Sequence, residues 1–219
     1  MCEIFNMKVI MMTATKPMIL ENGVELLKNH EEYYKKFNRT KIKYYPEHIT
    51  MDKFIENCLA CSEDKSYMIV VNTINQSMKV YEELRKLDRE VYYLSTNIIP
   101  KDRKEIIENI RGKLKKGEKP ILVTTQIVEA GVDLDFNEVI RDIGPIDSII
   151  QCAGRCNREN RKDYVGEVKV FNVLDDNDKL YGGYVYGNTS IGISQKILKE
   201  YGQVEEKDYL EMIQKYFQE

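Results

Sequence analysis

Short apolar runs alternate with helical patterns through the middle of the chain, and this alternation limits the possible folds more than any other feature. Between Ser66 and Val173 the order is strand, helix, strand, helix, strand, strand, helix, strand. Continuous β-branched runs are typical of strands buried on both faces, and parallel strands need helical crossovers between them. The sequence therefore predicts an α/β fold with an open, mainly parallel sheet and helices on both faces.

Apolar runs and capping signals define the individual elements. The predicted strands are Lys8–Thr15, Lys41–Tyr45 (ended by Pro46), Ser66–Thr73, Glu90–Thr96, Pro120–Gln126, Asn137–Ile143 and Gly166–Val173. The predicted helices are Gly23–Phe37, Lys53–Leu59 (capped by Thr50), Ile74–Leu87, Lys101–Lys116 and Ile146–Arg158. In the helix that begins at Ile74, a single face is predicted to pack on the sheet, formed by Met78, Tyr81, Leu84 and Leu87. A loop over Asp175–Asn188 and a C-terminal helical appendage, Ile193–Phe217 with an interruption near Gly202, complete the prediction.

Length and charge set broad limits on function. The chain has 219 residues, of which 42% are hydrophobic, so it can bury one sizeable core. It carries 33 Lys and Arg against 36 Asp and Glu, a formal net charge of -3. A surface that binds nucleic acid would therefore be a local patch, because the overall charge is slightly acidic.

The cysteines indicate a reducing compartment. Their number, five, is odd, the start of the chain lacks a signal-peptide pattern, and no apolar run approaches the roughly 18 residues that span a bilayer. We expect a cytoplasmic protein with free thiols and no membrane partner. Four thiolates could bind zinc if the fold brought together the pair Cys58 and Cys61 and the pair Cys152 and Cys156. The favoured interpretation is that these are small buried side chains and that no metal is bound.

Polar residues follow the fourth apolar run, where the carboxyl end of a strand is predicted. In "TTQIVEAGVDLD", Thr125 and Gln126 bring a hydroxyl and an amide to the strand end. Gly131 permits a close approach of the backbone just before the carboxylate of Asp133. Ligands of open α/β sheets bind outside the carboxyl ends of strands, so these residues are candidates for a binding site.

The stretch "QCAGRCNREN" follows the fifth strand and is the second candidate. If the predicted helix continues through it, Gln151, Arg155 and Arg158 lie on neighbouring turns of one face. Guanidinium groups match phosphate oxygens bidentately and stay charged at any working pH, which favours a phosphate site. The alternative that remains open at this point is a solvated basic helix face.

Taken in order, "MMTATKP", "MIVVNT", "ILVTTQIVEAGVDLD" and "PIDSIIQCAGRCNR" resemble motifs III, IV, V and VI of superfamily 2 helicases. More narrowly, the chain is similar to the helicase part of the CRISPR-associated helicase/nuclease of type I interference systems. The resemblance implies a second RecA-like domain over residues 21–175. It also implies a remnant of the first RecA-like domain and linker over residues 1–20, and a helical extension over residues 176–219.

The resemblance also implies roles for individual residues in nucleotide chemistry. Arg155 and Arg158 would stabilise charge on the transferring γ-phosphoryl group, and Gln151 would contact the nucleotide or the attacking water. Gly131 and Asp133 would meet the ribose. The family commonly has arginine directly after the glutamine of motif VI, whereas this chain has Cys152, so one supporting cation is expected to be lost.

Further roles concern nucleic acid. Asn72, Thr73, Thr125 and Gln126 would contact the backbone of a single strand, without reading its sequence. The alternative interpretation of these four residues is ordinary capping at strand ends. Thr13 and Thr15, between the two domains, would couple the nucleotide state to binding of the nucleic-acid strand. Glu129 is a member of motif V for which the resemblance gives no firm role.

The implied cofactors are ATP and Mg²⁺, the latter held mainly by a first RecA-like domain. These 219 residues contain neither a GxxxxGK[ST] phosphate loop nor a DExH-type box, so we expect the isolated chain to be inactive. The implied partners are single-stranded DNA, the first RecA-like domain, a histidine-aspartate nuclease in cis or in trans, and a CRISPR surveillance complex. His30 and His48 are expected at the surface. The alternative functions are a non-catalytic interaction module, or an RNA helicase or transcription-coupled translocase of the same superfamily.

Overall fold

The computed structural model describes residues 35–129, 132–160 and 164–219, together with the isolated residues 10, 24, 26 and 32. Its strands are β1 (Thr40–Thr50), β2 (Tyr67–Val70), β3 (Val91–Leu94), β4 (Ile121–Thr124), β5 (Glu138–Asp142), β6 (Gly166–Leu174) and β7 (Gln203–Glu205). Its helices are α1 (Met51–Leu59), α2 (Ile74–Leu84), α3 (Pro100–Lys115), α4 (Ile146–Ala153), α5 (Tyr181–Tyr186), α6 (Asn188–Tyr201) and α7 (Tyr209–Gln218). Two 3₁₀ turns, Gln126–Val128 and Glu206–Asp208, complete these elements.

The strands form one seven-stranded sheet in the order β3-β4-β2-β5-β6-β1-β7. The pairs from β3 to β1 are parallel, and among the described strands only the edge strand β7 runs antiparallel to its neighbour. Alternate residues of β2 serve two core clusters, because Met68 and Val70 face one side of the sheet and Tyr67 and Ile69 the other. Helices α1 and α2 cover one side, and α3, α4, α6 and α7 cover the other. The predicted fold class is confirmed.

Strands β2, β3, β4 and β5 are shorter than predicted, β6 is one residue longer, and β1 continues past the predicted stop at Pro46. Strand β7 pairs with Lys41–Lys43, and the N–H of Tyr44 donates to the carbonyl of Gly202, but beyond Tyr44 no described strand pairs with β1 on that side. The register of β1 against β6 shifts between Tyr45 and His48. Proline is tolerated at such an irregular, one-sided position because it removes no ladder bond.

The buried face of helix α2 is wider than the one that the apolar spacing predicts. Of the predicted face, Leu84 is buried and Tyr81 and Leu87 pack against the core, but Met78 is 46% exposed. The polar Gln76 and Ser77 are buried as well, which a count of apolar side chains does not register. The amide of Gln76 is buried at little cost because its oxygen accepts two backbone hydrogen bonds and its nitrogen donates to Asp142.

The C-terminal region is integrated into the main core. The predicted loop Asp175–Asn188 contains helix α5, and the two helices predicted beyond it are separated at Gly202 and by strand β7. Ile197, Leu198 and Met212 are wholly buried in the same cluster as the sheet residues. The boundaries proposed for the three segments stay predictions. Apart from Ile10, the predicted strand over 8–15 lies outside the described residues, and so does most of the predicted helix over 23–37.

Candidate functional site

The helix that leads into the stretch "QCAGRCNREN" ends earlier than predicted. Helix α4 ends at Ala153, so Arg155 and Arg158 do not share a helix face with Gln151, which remains on its last turn, half-buried. Beyond Gly154 the backbone pairs with another segment instead. The N–H of Phe136 donates to the carbonyl of Arg155 at 2.9 Å, and the N–H of Asn157 donates to the carbonyl of Phe136 at 2.8 Å.

This pairing moves the arginines away from the carboxyl ends of the strands. Helix α4 runs back across one side of the sheet, so its C-terminal loop meets Phe136, two residues before β5 begins. Arg155 and Arg158 therefore lie on a loop beside the segment that leads into β5. Asn72, Thr73, Thr125 and Gln126 follow β2 and β4, at the carboxyl ends of those strands.

Arg155 is clamped to motif V by its side chain. Its Nε donates to the carbonyl of Val128 at 3.3 Å, and its Nη2 donates to the carbonyl of Glu129 at 3.1 Å. Within the described residues, Nη1 makes no hydrogen bond, so one edge of the guanidinium remains available. Burial, and next the nearby Arg158 cation, lower the pKa of Arg155 from its ordinary value. An anion placed beside it would relieve both effects.

Arg158 lies beside the predicted ribose-binding carboxylate. Its Nε is 3.1 Å from Oδ1 of Asp133, and the two side chains are 41% and 71% exposed. They line a cleft of about 300 Å³ between α3 and the loop after α4. Arg111 and Lys115 of α3 add positive charge to the same cleft, and Asp135 and Glu159 add negative charge. The arrangement can receive a ligand that carries both an anionic group and hydrogen-bonding hydroxyls.

A buried ionic cluster behind this cleft was missed by the sequence analysis. Arg141 of β5 is wholly buried and donates to Oε1 of Glu129 at 3.1 Å and to Sγ of Cys152 at 2.7 Å. Ser148 contributes its hydroxyl and its carbonyl to the same guanidinium, and the hydroxyl also donates to Glu129. Burial opposes the charged form of Arg141, but Cys152 and Glu129 outweigh it and raise its pKa.

This cluster assigns a role to Glu129 and explains the departure at Cys152. The carboxylate of Glu129 ties motif V to β5 and α4, and its carbonyl holds Arg155. The Cys152 side chain is wholly buried against Arg141, so position 152 faces the core here. Arg141 of β5 therefore places a buried cation against the side chain at this position. The signal available in the sequence was the charged pair Arg141 and Asp142 inside an apolar strand.

Asp142 is the second missed residue, and it organises the carboxyl end of β2. Its Oδ2 accepts hydrogen bonds from Nδ2 of Asn72 at 2.7 Å and Nε2 of Gln76 at 3.0 Å. Its Oδ1 accepts from the backbone N–H of Val173 at 3.2 Å. Burial raises the pKa of this wholly buried carboxyl to about 7, against the opposing effect of these donors and of Arg141.

The predicted strand-contacting residues differ in exposure. Asn72 and Thr125 are buried, and the amide of Asn72 points inward to Asp142 and the carbonyl of Ile143. Thr73 caps α2 in a capping box with Gln76, and Gln126 donates to the carbonyl of Asn72 at 2.8 Å. Both are half-buried, so they present polar atoms at this end of the sheet. Gly131, Thr13 and Thr15 lie outside the described residues.

The thiols of the described cysteines lie on two sides of the sheet. Cys58 packs in the cluster on the α1 side of the sheet, and Cys152 and Cys156 pack on the α4 side. The four cysteines among the described residues form no disulfide, and burial raises the pKa of each thiol. No group of three metal-ligating side chains occurs in the part of the chain that the structure describes. None of its described helices is long and apolar enough to cross a membrane.

A mainly parallel sheet, with motif V and motif VI clamped together by Arg155, defines the second RecA-like domain of a superfamily 2 helicase. Residues 63–161 match a family described as "CRISPR-associated nuclease/helicase Cas3, C-terminal". The chain therefore belongs to the family of CRISPR-associated Cas3 helicases, as a counterpart of their C-terminal helicase domain.

Curated relatives extend this match. The CRISPR-associated nuclease/helicase Cas3 of Methanothermobacter thermautotrophicus is 32% identical over 162 residues, which cover 72% of this chain and 19% of that protein. The one of Haloferax volcanii is 44% identical over 93 residues, 42% of this chain and 10% of that protein. The chain thus spans a fifth or less of the length of these two relatives.

Solved structures show the same fold. Cas3 of T. fusca superposes with a TM-score of 0.71 at 18% identity, over 84% of this chain and 24% of that one. A chain of a CRISPR RNA-guided surveillance complex, described as pre-nicking, superposes with a TM-score of 0.68 at 20% identity. That match covers 84% of this chain and 26% of the other.

Proposed function

We propose that this chain is the C-terminal half of an ATP-dependent translocase on single-stranded DNA that acts in CRISPR interference. The observation that carries the proposal is the loop after α4. It holds Arg155 and Arg158 against motif V and beside the carboxylate of Asp133. Helicase motifs V and VI are thereby joined into one surface that a nucleotide bound to another domain can meet.

The residues present fit a nucleoside triphosphate. ATP supplies the phosphoryl group whose transfer drives movement along the strand. Arg155 offers the unbonded edge of its guanidinium, and Arg158 shares its charge with an exposed carboxylate that water already solvates. A phosphate can therefore compete for Arg158, and Asp133 is then available to accept from ribose hydroxyls. Gln151 and Gly131 complete the proposed nucleotide contacts.

The catalytic role of the two arginines depends on closure of an interdomain cleft. On this proposal, a first RecA-like domain holds the triphosphate and most of the Mg²⁺ coordination, and this chain closes over it. Closure brings Arg155 and Arg158 to the developing charge and excludes water, which strengthens their effect. They are then transition-state residues rather than ground-state binders.

We propose that the single-stranded DNA passes along the carboxyl ends of strands β2 and β4. Thr73 and Gln126 present their half-buried side chains there, and the buried Asn72 and Thr125 position them. Gln126 bonds to the carbonyl of Asn72, so motifs IV and V would respond to the strand together. Thr13 and Thr15 are proposed to carry this response to the first domain. Contacts of this kind are independent of base sequence and weaken with salt.

The proposed partners follow from the relatives. The Cas3 proteins matched here are described as nuclease/helicases, and one structural match is a chain of a surveillance complex. We propose that this chain works with a nuclease of that kind, in cis or in trans, and with such a complex, in the cytoplasm.

The proposal is tested by ATP turnover in a complex with a first RecA-like domain from a Cas3 relative. Single-stranded DNA is expected to stimulate turnover, while single-stranded RNA of equal length gives less stimulation. The isolated chain serves as the control and is expected to show no turnover. Equal stimulation by RNA would favour an RNA helicase, and a complex that binds DNA without any turnover would favour a non-catalytic interaction module.

A further inference from the structure

The loop that carries Arg158 is held by a carboxylate to which no role has yet been assigned. The backbone N–H of Arg158 donates to Oδ1 of Asp135 at 2.7 Å, and that of Glu159 donates toward Oδ2 at 3.4 Å. Asp135 directly precedes Phe136, which pairs with the backbone of Arg155 and Asn157. One short segment thus binds the backbone of the arginine loop at consecutive positions.

The bond to Arg158 matters because the loop turns sharply just before it. Asn157 has a φ of 45°, in the left-handed region that asparagine tolerates better than most residues. The turn sends the next two N–H groups toward Asp135, where a carboxylate accepts them. A hydrogen bond to an ionised acceptor is shorter and stronger than one between neutral groups. The direction of the Arg158 backbone is therefore set by the side chain of Asp135.

Asp133 and Asp135 contact different parts of Arg158. Asp133 contacts the guanidinium, is 71% exposed, and can be displaced by a ligand of Arg158. Asp135 contacts the backbone, so its bond persists whichever partner the guanidinium takes. The first carboxylate shields the charge of Arg158 in the open cleft, and the second fixes the place from which the side chain extends.

We infer that Asp135 is a positioning residue for Arg158 in the phosphoryl-transfer reaction, an inference that rests on the proposed function. It is proposed to act on the reaction through the backbone of the arginine loop, to which it is hydrogen-bonded. Loss of Asp135 does not remove the guanidinium of Arg158 but lets it sample many positions. Misplacement of a catalytic group by about 1 Å can lower the rate roughly 10²-fold.

The positioning is tested first in the isolated chain by amide hydrogen exchange. In Asp135→Ala, exchange at the Arg158 amide is expected to accelerate by about tenfold or more, because the bond that protects it is lost. Asp133→Ala is the matched control, since it removes the neighbouring carboxylate but leaves this amide bonded. An unchanged exchange rate at the Arg158 amide in Asp135→Ala would overturn the positioning role, independently of the function proposed for the chain.

The consequence for the reaction is tested by a double-mutant cycle in the complex with the first RecA-like domain. Asp135→Ala is expected to lower kcat by about 10- to 100-fold with little change in KM, and to add nothing in an Arg158→Ala background. Asp135→Asn keeps one acceptor oxygen, so it should recover part of the loss. It also gives the same comparison if the alanine variant unfolds.

The outcomes separate this inference from the proposed function. Losses that multiply in the double variant would show that Asp135 acts elsewhere, and would overturn the inference while leaving the function in place. Unchanged turnover in the single variant Arg158→Ala would overturn the catalytic role proposed for Arg158 and, with it, the role of Asp135 in turnover; unchanged turnover in Arg155→Ala as well would overturn the proposed function.

Discussion

Arg141 and Glu129 form an ion pair with an N–O distance of 3.1 Å, in which the arginine side chain is wholly buried and the glutamate side chain is 15% exposed. The pair joins β5, which gives no side chain to the cleft, to the turn whose carbonyls hold Arg155. The position of one proposed catalytic arginine therefore depends on a second arginine inside the core.

Breaking this pair should destabilise the fold strongly. Arg141→Met leaves Glu129 and Ser148 without their cationic partner, and loss of one member of a buried pair costs about 3–5 kcal/mol. We expect the free energy of unfolding in urea to fall by about 3 kcal/mol. Lys104→Ala is the control, because it breaks an exposed pair with Glu108, which should cost less than about 1 kcal/mol. Equal losses in the two variants would contradict the role given to Arg141.

Gly182 should not accept a side chain. A Cβ there would lie 2.7 Å from the carbonyl oxygen of Ile143 and 2.9 Å from Cδ1 of Ile191, so α5 would have to move off the sheet. We expect Gly182→Ala to lower the thermal midpoint. Gly192→Ala is the matched control in α6, where nothing lies within 4 Å, and alanine should stabilise that helix by roughly 0.5–1 kcal/mol. Shifts of the same sign in both variants would contradict this account.

The folding stability should depend on pH through Asp142. Burial raises the pKa of its carboxyl to about 7 in the folded state, so between about pH 4 and pH 7 the folded chain binds a proton that the unfolded chain releases. The contribution of this group to stability therefore falls as pH rises through that window, by up to about 1.4 kcal/mol per pH unit.

Asp142→Asn provides the comparison for this effect. The variant lacks the titrating group, so the wild-type chain should gain unfolding free energy relative to the variant as the pH falls from 8 to 5. Urea denaturation at several pH values measures it. A difference that stays constant over this range would show that the carboxyl does not titrate there.

The cysteines are expected to bind no zinc. Cys58 and the pair Cys152 and Cys156 lie on opposite sides of the sheet, so four thiolates are not within reach of one ion. The thermal midpoint should be the same with and without a chelator. One equivalent of zinc per chain in elemental analysis, lost together with stability in chelator, would contradict this.

The periodicity of apolar residues was sufficient to predict the sheet and most of its helices. Residues such as Met68, Ile69 and Val70 form continuous runs that suit only strands buried on both faces. Pattern reasoning failed where a polar group replaced an apolar one in the core. Gln76 is buried because Asp142 and the start of α2 satisfy its amide, and no apolar count registers that.

The candidate site was predictable in its residue types and less so in its geometry. The spacing of Gln151, Arg155 and Arg158 suited one helix face, yet the backbone of Phe136 competes for the loop and ends α4 at Ala153. Contacts between segments far apart in sequence decide such ends. The roles of Asp135 and Arg141 depend on contacts of the same kind, and the only local indication of them was the presence of Arg141 and Asp142 inside an apolar strand.

ATP turnover of Arg155→Ala and Arg158→Ala in the complex with a first RecA-like domain tests the central claim most directly. Each variant should lose roughly 10³-fold or more in DNA-stimulated kcat, with a much smaller change in nucleotide affinity, because both act on charge that develops during transfer. Arg85→Ala, an exposed arginine at the end of α2 on the other side of the sheet, should turn over ATP like the parent. Turnover near the parental rate in both loop variants would contradict the claim and leave the loop as a basic surface.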